Sequence, residues 1–203
     1  MNKKLKINVW TYLDEYNLYK KQIIDIVNKV FKSGNLILGN ELKRLEKNFS
    51  KFIKKKYAIG VNSGTDAILI GLMSLGVKKG DEVITVSNTA VPTVSAIVSA
   101  GAKPVFVDID ENDFLMDMTK LKKKITKKTK VIIPVNLYGQ SVNIKELKKI
   151  SKKLDIKILE DCAQSAGAKY FNKMSGSFGN VSAFSFYPTK NLGAYGDAGM
   201  IVT

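Results

Sequence analysis

Residues 82–109 have the sequence EVITVSNTAVPTVSAIVSAGAKPVFVDI, and this stretch decides the fold. EVITV (82–86) and PVFVDI (104–109) are short apolar runs with little polar alternation, which is typical of strands that are buried on both faces. The residues between them, 91–100, are predicted to form a helix. The stretch therefore predicts two parallel strands that are joined by a right-handed helical crossover.

The same alternation of apolar runs and helical stretches continues on both sides of this unit. Further strands are predicted at YAIGV (57–61), KVIIPV (130–135), IKILE (156–160), SAFSFY (182–187) and GMIVT (199–203). Further helices are predicted at 65–75, around LKKKI (121–125) and at 143–154. Strands that alternate with helices indicate an α/β fold, a three-layer α/β/α sandwich around a mostly parallel sheet.

The two ends of the chain differ from this central pattern. Residues 1–55 are predicted to form a helical lead-in, with helices over 16–34 and 41–55. Residues 56–203 are predicted to form the α/β domain. GMIVT is an apolar strand at the end of the chain that nothing in the sequence covers. We therefore expect a truncated domain that belongs to a longer protein, and association through the apolar surface that is left open.

The composition excludes several classes of partner. The net charge is +15 over 203 residues, but Arg44 is the only arginine and the lysines fall on predicted helix faces and loops. Nucleic-acid recognition favours arginine forks, so we expect no nucleic-acid partner. No apolar run reaches the roughly 18 residues of a membrane span, so no membrane partner is expected. A lone cysteine, Cys162, fits a reducing cytoplasm.

The residue types that are missing also narrow the chemistry. The sequence has no histidine and one cysteine, which excludes a Ser-His-Asp triad, a Cys-His pair and a histidine–cysteine zinc site. No metal site is expected. Neither a GxGxxG nor a GxxxxGK[ST] motif is present, so dinucleotide and P-loop binding lack their motifs. Lysine and carboxylate chemistry remains, and Schiff-base formation is the main reaction that lysine supports.

Polar residues follow three of the predicted strands, where ligands bind in a parallel sheet. Ser63, Gly64 and Thr65 open a helix and could cradle a phosphate, although a plain helix N-cap is the simpler interpretation. Asp161 follows Glu160 and could pair with a protonated ring nitrogen, bind a metal or cap a helix. Lys190 follows a strand and a proline, where a solvated lysine is the ordinary case. The three places gain meaning only together.

Six segments carry a resemblance to a known family. They are VNSGTDA (61–67), GDEVITVSNTAVPT (80–93), PVFVDID (104–110), NLYGQ (136–140), ILEDCAQSAGA (158–168) and FSFYPTKNLGAYGDAG (184–199). In this order they resemble the DegT/DnrJ/StrS sugar aminotransferases, which are enzymes of fold type I that use pyridoxal 5'-phosphate (PLP). The resemblance implies that residues 56–203 are an incomplete PLP-binding large domain, and that the C-terminal small domain of the family is absent from this chain.

The resemblance also implies a role for each site residue. Lys190 would carry PLP covalently and later act as general acid and base. Asp161 would pair with the pyridine nitrogen, and Gln164 would hydrogen-bond the ring hydroxyl. Ser185 and Thr65, with the backbone N–H of Asp66, would hold the phosphate. The chain departs from the family at two positions: Ala90 stands where an aromatic ring often stacks on the pyridine, and Asn136 where a histidine is common.

The function that follows from the resemblance is amino transfer. The amino group would pass from glutamate to a keto-sugar attached to a nucleotide, for amino-sugar or surface-polysaccharide synthesis by a homodimer. A sugar dehydratase of the same fold is an alternative, but that branch has a histidine in place of Lys190. A non-catalytic remnant is the other alternative, and we expect the 203-residue chain alone to be inactive.

Overall fold

The structure is a computed structural model, and it describes Asn8 and residues 10–203. It contains two compact units, Met1–Leu45 and Glu46–Thr203. The first unit holds helix α1 (Leu13–Lys32) and the first turns of α2 (Asn40–Ile53). Lys29 and Arg44 each form an ion pair of 2.8 Å with Glu41. Residues 1–7 and 9 of the predicted lead-in lie outside the described residues.

The second unit is built on one sheet. Its strands are β1 (Ala58–Val61), β2 (Glu82–Val86), β3 (Lys103–Val107), β4 (Thr129–Ile132), β5 (Lys157–Asp161), β8 (Val181–Ser185) and β9 (Gly199–Val202). The connecting helices are α3 (Gly64–Ser74), α4 (Val91–Ser99), α5 (Met118–Lys124) and α6 (Ile144–Leu154). The predicted strands and helices match these elements to within about three residues, the usual uncertainty at element ends.

The order of the strands in the sheet differs from their order in the chain. The sheet runs β1–β9–β8–β5–β4–β2–β3. The pairs from β8 to β3 are parallel, whereas β9 is antiparallel to both of its neighbours, β1 and β8. This confirms the prediction of a mostly parallel sheet. It also places β1 beside the strand that is farthest from it in the sequence.

The prediction that GMIVT lacks cover is wrong. All four residues of β9 are buried, and the strand hydrogen-bonds on both edges. Successive side chains of the strand point to opposite faces of the sheet, and both faces of this strand are covered. The position of β9 at the end of the sequence could not reveal this burial, because β9 lies in the sheet between β1 and β8, two strands that precede it in the chain.

Helices cover both faces of the sheet and complete the three layers. On one face, Phe184, Met200 and Val202 cluster with Phe49 and Ile53 of α2. The other face holds their neighbours along the same strands, Val181, Ala183 and Ile201, which cluster with Ala67, Ile68 and Leu72 of α3. Within the described part of the chain, no helix is both long and apolar enough to cross a membrane.

One small element escapes the sequence pattern. Lys169–Tyr170 (β6) and Lys173–Met174 (β7) form a two-stranded antiparallel ribbon, with Phe171 at φ 51° in the turn. Strands of two residues have too few positions to show an alternating or apolar run. The ribbon leads into the loop at residues 175–180, which returns the chain to β8.

Glu160 on β5 fixes that loop from the interior. Its carboxylate is fully buried and accepts N–H bonds from Gly176 at 3.0 Å, Phe178 at 2.8 Å and Gly179 at 2.7 Å. Backbone N–H groups in such a place need an acceptor, and a carboxylate can serve several at once. Glu160 is therefore the structural acid of the two acids that end β5.

Replacement of Glu160 tests this role. Glu160→Ala leaves these N–H groups without an acceptor, at about 1–3 kcal/mol for each buried group, so we expect a loss of about 3–5 kcal/mol in the free energy of unfolding. Glu111→Ala, at an exposed position, should change it by less than about 0.5 kcal/mol. Urea unfolding measures both. Equal midpoints for the two variants would contradict the structural role.

Candidate active site

A cavity of about 290 Å³ opens at the carboxyl ends of the parallel strands in the second unit. It gathers residues that follow β1, β2, β5 and β8. Of the predicted site residues, it is lined by Thr65, Asp161, Gln164, Ser185 and Lys190. These residues are far apart in the sequence, and they meet because parallel strands end at one edge of a sheet. Asp66 is not among the residues that line the cavity.

The N-terminus of α3 forms one wall of this cavity. Ser63 is the N-cap, and its Oγ accepts the N–H of Asp66 at 3.1 Å and donates to Asp66 Oδ2 at 3.0 Å. The Asp66 N–H thus belongs to the cap, and its role as a phosphate donor remains only a prediction. Within the described chain, the N–H groups of Gly64 and Thr65 have no protein acceptor. They leave two donors at the positive end of the helix.

Two glycines let β8 and β9 approach this helix end closely. A Cβ on Gly64 would lie 2.7 Å from Ser185 Cβ, and a Cβ on Gly199 would collide with the backbone oxygen of Ser63. Real side chains do not approach so closely, so glycine is required at both positions. The close approach brings the Ser185 hydroxyl, which accepts the Tyr187 N–H at 3.3 Å, beside the N–H groups of α3.

Asp161 also lines the cavity and is almost completely buried, at 3% exposure. Its Oδ2 accepts the Thr93 hydroxyl at 2.7 Å, and its Oδ1 accepts the Ala163 N–H at 3.1 Å. Burial raises the pKa of this carboxyl group, while the two hydrogen bonds and the charge of Lys190 oppose that rise. The remaining lone pairs face a cavity where a cationic N–H group would be a favourable partner.

Lys190 and Gln164 are held by their backbones beside the cavity. The Lys190 N–H donates to the Tyr187 carbonyl oxygen at 2.8 Å, in the turn that follows β8. Gln164 Oε1 accepts the Tyr138 N–H at 3.4 Å, and its carbonyl oxygen accepts the Gly139 N–H at 3.1 Å. Tyr138 and Gly139 both have positive φ, which aims their N–H groups at Gln164. Because Oε1 is engaged, the Nε2 amide is the group left to donate.

Thr89 and Thr93 are cavity residues that the sequence analysis did not single out. Both lie in the segment GDEVITVSNTAVPT, but a threonine near a helix start is too common to mark a site by itself. Of the two departures from the family, Ala90 lines the cavity. Asn136 is buried away from it, where Nδ2 donates to Ser175 at 2.9 Å and Oδ1 accepts the Val142 N–H at 3.0 Å.

Comparison with known proteins decides the family. Residues 17–203 match the DegT/DnrJ/EryC1/StrS aminotransferase family. The chain belongs to this family. A curated family relative, the dTDP-3-amino-3,4,6-trideoxy-alpha-D-glucose transaminase of Micromonospora megalomicea subsp. nigra, is 47% identical over 195 residues, which cover 96% of this chain and 52% of the relative.

Solved structures of this aminotransferase family share the fold. The crystal structure of S. venezuelae DesV in complex with a ketimine intermediate has a TM-score of 0.95 and 36% identity, and covers 98% of this chain and 53% of DesV. The NtdA structure from Bacillus subtilis with bound cofactor PMP has a TM-score of 0.89 and 34% identity, and covers 100% of this chain and 46% of NtdA. The predicted fold is therefore confirmed. The chain spans about half the length of these relatives.

The buried acid predicts an unusual dependence of stability on pH. Because the pKa of Asp161 is raised in the folded state, the cost to stability is absent below the unfolded pKa of about 3.9, grows as the pH rises above that value and is complete above the folded pKa. Asp161→Asn does not titrate, and its amide can still accept from Ala163 and donate to Thr93. Without cofactor, this variant should therefore gain stability relative to the wild type as the pH rises from 4 to 8.

Asp155, an exposed aspartate whose pKa is shifted in the opposite direction, provides the control. The hydrogen bond of 2.8 Å from Lys157 lowers the pKa of Asp155, so stability from that pair is present above the unfolded pKa and is lost as the pH falls. Asp155→Asn should therefore lose stability relative to the wild type as the pH rises to about 4, the unfolded pKa, and the difference should stay constant at higher pH. Urea unfolding at several pH values measures both trends. A constant difference between Asp161→Asn and the wild type would contradict the charge effect.

Proposed function

We propose that this chain contributes the PLP-binding site of an aminotransferase that transfers an amino group from glutamate to a keto-sugar linked to a nucleotide. The observation that carries the proposal is the meeting of Lys190, Asp161 and the N-terminus of α3 around one cavity of about 290 Å³. A lysine, a buried acid and an anion cradle are the three groups that PLP requires at its aldehyde, ring nitrogen and phosphate.

The cradle fits the phosphate end of this cofactor. A phosphate is favoured at a helix N-terminus by free N–H groups and by the helix dipole. Gly64 and Thr65 offer such N–H groups, and the hydroxyls of Thr65 and Ser185 lie along the same wall. The glycines at 64 and 199 keep the cradle open, because a side chain at either position would collide with it. We assign the phosphate to these residues, with Asp66 supporting the cap.

Other residues that line the cavity fit the ring. Asp161 would accept a hydrogen bond from the protonated ring nitrogen, which would place a cationic N–H group against this buried carboxylate. Gln164 Nε2 would donate to the ring hydroxyl, because Gln164 Oε1 is held by the Tyr138 N–H. Val135 and Ala90 contribute apolar surface to the same cavity. Ring contact at Ala90 would be smaller than an aromatic residue provides.

The mechanism assigns distinct tasks to the protein side chains. PLP, when bound, supplies an electron-withdrawing ring that stabilises negative charge on the carbon next to the transferred nitrogen. Lys190 Nζ would hold the cofactor covalently, and once displaced it would carry the proton between that carbon and the cofactor. Asp161 would keep the ring nitrogen protonated throughout. The cavity walls would exclude water from the proton transfer.

Substrate, assembly and location belong to the same proposal. A relative named as a dTDP-amino-sugar transaminase and structures named for PMP and a ketimine intermediate support this substrate class and the cofactor. We propose a cytoplasmic homodimer. Residues 56–203 would be the large domain, preceded by the helical lead-in at 1–55, and the rest of the relatives' length would hold the small domain.

The activity can be tested in the reverse direction, where the substrate is stable. The intact protein with PLP is mixed with 2-oxoglutarate and nucleotide-linked amino sugars, beginning with dTDP-3-amino-3,4,6-trideoxy-glucose. We expect stoichiometric formation of glutamate and the keto-sugar, detected by mass spectrometry. Free amino sugars without a nucleotide should react far more slowly. Binding of PLP without any amino transfer across this panel would contradict the proposed function.

Lys190 provides the sharpest test of the site. Borohydride reduction of the PLP-loaded protein should fix the cofactor to Lys190 alone, as located by peptide mass spectrometry. Lys190→Ala should lose the covalent bond and at least about a hundredfold of the transfer rate, because both the attachment and the proton carrier are removed. Lys190→Arg keeps the charge and should fail equally.

A lysine away from the cavity completes this test. Lys169→Ala, at an exposed position on β6, should retain both the covalent bond and the transfer rate. An adduct scattered over many surface lysines, or placed on a different one, would remove Lys190 from the site.

A further inference from the structure

Thr93 is a buried side chain that the proposed mechanism does not yet use. It lies in the first turn of α4 and is 1% exposed. Its hydroxyl donates to Asp161 Oδ2 at 2.7 Å, across 68 positions of sequence. This length is ordinary for a hydroxyl that donates to a carboxylate.

The protons of this contact have a defined direction. An ionised carboxylate can only accept, so the single hydroxyl proton of Thr93 goes to Asp161. The contact of 2.8 Å between the hydroxyls of Thr93 and Thr89 must then use the proton of Thr89. Both donors therefore point towards the carboxylate, and each polarises the next. Such a chain favours the charged form of Asp161 over the neutral form.

Few other groups near the cavity favour the charged form of Asp161. Besides Asp161, the charged residues that line the cavity are Lys190 and Asp197. Lys190 favours ionisation of Asp161, as does the Ala163 N–H, whereas burial opposes it. Loss of one hydrogen bond to a carboxylate that is almost wholly buried should therefore change both the orientation of the carboxylate and its tendency to ionise.

We infer that Thr93, backed by Thr89, is a positioning residue that aims the Asp161 carboxylate into the cavity and keeps it ionised. This inference rests on the proposed function, because Asp161 is given a cationic ring nitrogen as its partner. Thr93 acts through Asp161, so its effect should appear only for ligands that present such a nitrogen. This selectivity separates positioning from packing.

The test compares two ligands in the intact protein by calorimetric titration between pH 6 and pH 9. Pyridoxamine 5'-phosphate forms no covalent bond with Lys190, so it reports the cavity alone. An analogue with carbon in place of the ring nitrogen cannot pair with Asp161. Thr93→Val keeps the shape and removes the hydroxyl, and it should weaken pyridoxamine 5'-phosphate about tenfold, the loss of one hydrogen bond to a charged group. The affinity of the analogue for Thr93→Val should equal its affinity for the wild type.

Two further variants serve as controls. Thr93→Ser keeps the hydroxyl and should bind pyridoxamine 5'-phosphate within about twofold of the wild type, well below the effect of one hydrogen bond. Thr85→Val makes the same change at a fully buried threonine of β2, whose hydroxyl donates to the Ile133 carbonyl oxygen at 3.1 Å. It should leave the affinity for both ligands unchanged.

The outcomes separate this inference from the proposed function. If Thr93→Val binds pyridoxamine 5'-phosphate like the wild type while Asp161→Asn weakens it, the inference is overturned and the proposed function stands. Equal losses for both ligands in Thr93→Val would also overturn it, since the role would be packing. No saturable binding to the wild type would overturn the proposed function as well. If Thr93→Val does not fold, Thr93→Ala removes the same hydroxyl and is judged by the same two ligands.

Discussion

Two neighbouring carboxylates are buried at the carboxyl end of β5, and the alternation of the strand sends them to opposite faces of the sheet. A buried carboxylate must find donors or lose its charge. Glu160 finds them in the backbone of the loop at 176–179. Asp161 accepts hydrogen bonds from the Thr93 hydroxyl and the Ala163 N–H, and its remaining lone pairs are open to a ligand. One strand end therefore serves both stability and binding.

The structural acid also supports the binding side indirectly. The loop that Glu160 holds leads directly into β8, and β8 delivers Ser185 and Lys190 to the cavity. Beneath Asp161, Asn136 links Ser175 to the backbone of Val142, and its own N–H donates to the Asp161 carbonyl oxygen at 2.9 Å. The side chains that face the ligand thus rest on backbone that a buried polar network holds in place.

The sequence could predict the elements and most of the cavity, for an identifiable reason. Apolar runs mark buried strands, and the edge rule for parallel sheets then gathers Thr65, Asp161 and Lys190. Ser185 came only from the family resemblance. The sequence could not predict that β9 would lie between β1 and β8, because strand order depends on long-range packing. Nor could it show that Thr93 meets Asp161, or which of Ser63 and Thr65 would cap the helix and accept the Asp66 N–H. Those contacts depend on the rotation of a helix about its axis and on single side-chain torsions.

The position of β9 has a consequence for how the sheet assembles. β1 pairs Ala58 with Val202 and Ile59 with Ile201, so its ladder partner among the described residues is synthesised more than a hundred residues later. Until β9 leaves the ribosome, β1 has no strand to join and β8 presents an open edge with unpaired N–H and C=O groups. Contacts of such long sequence separation slow folding and leave aggregation-prone intermediates. The nascent chain must therefore keep two distant strand edges apart from other chains, and from each other, until a single late strand closes the gap between them.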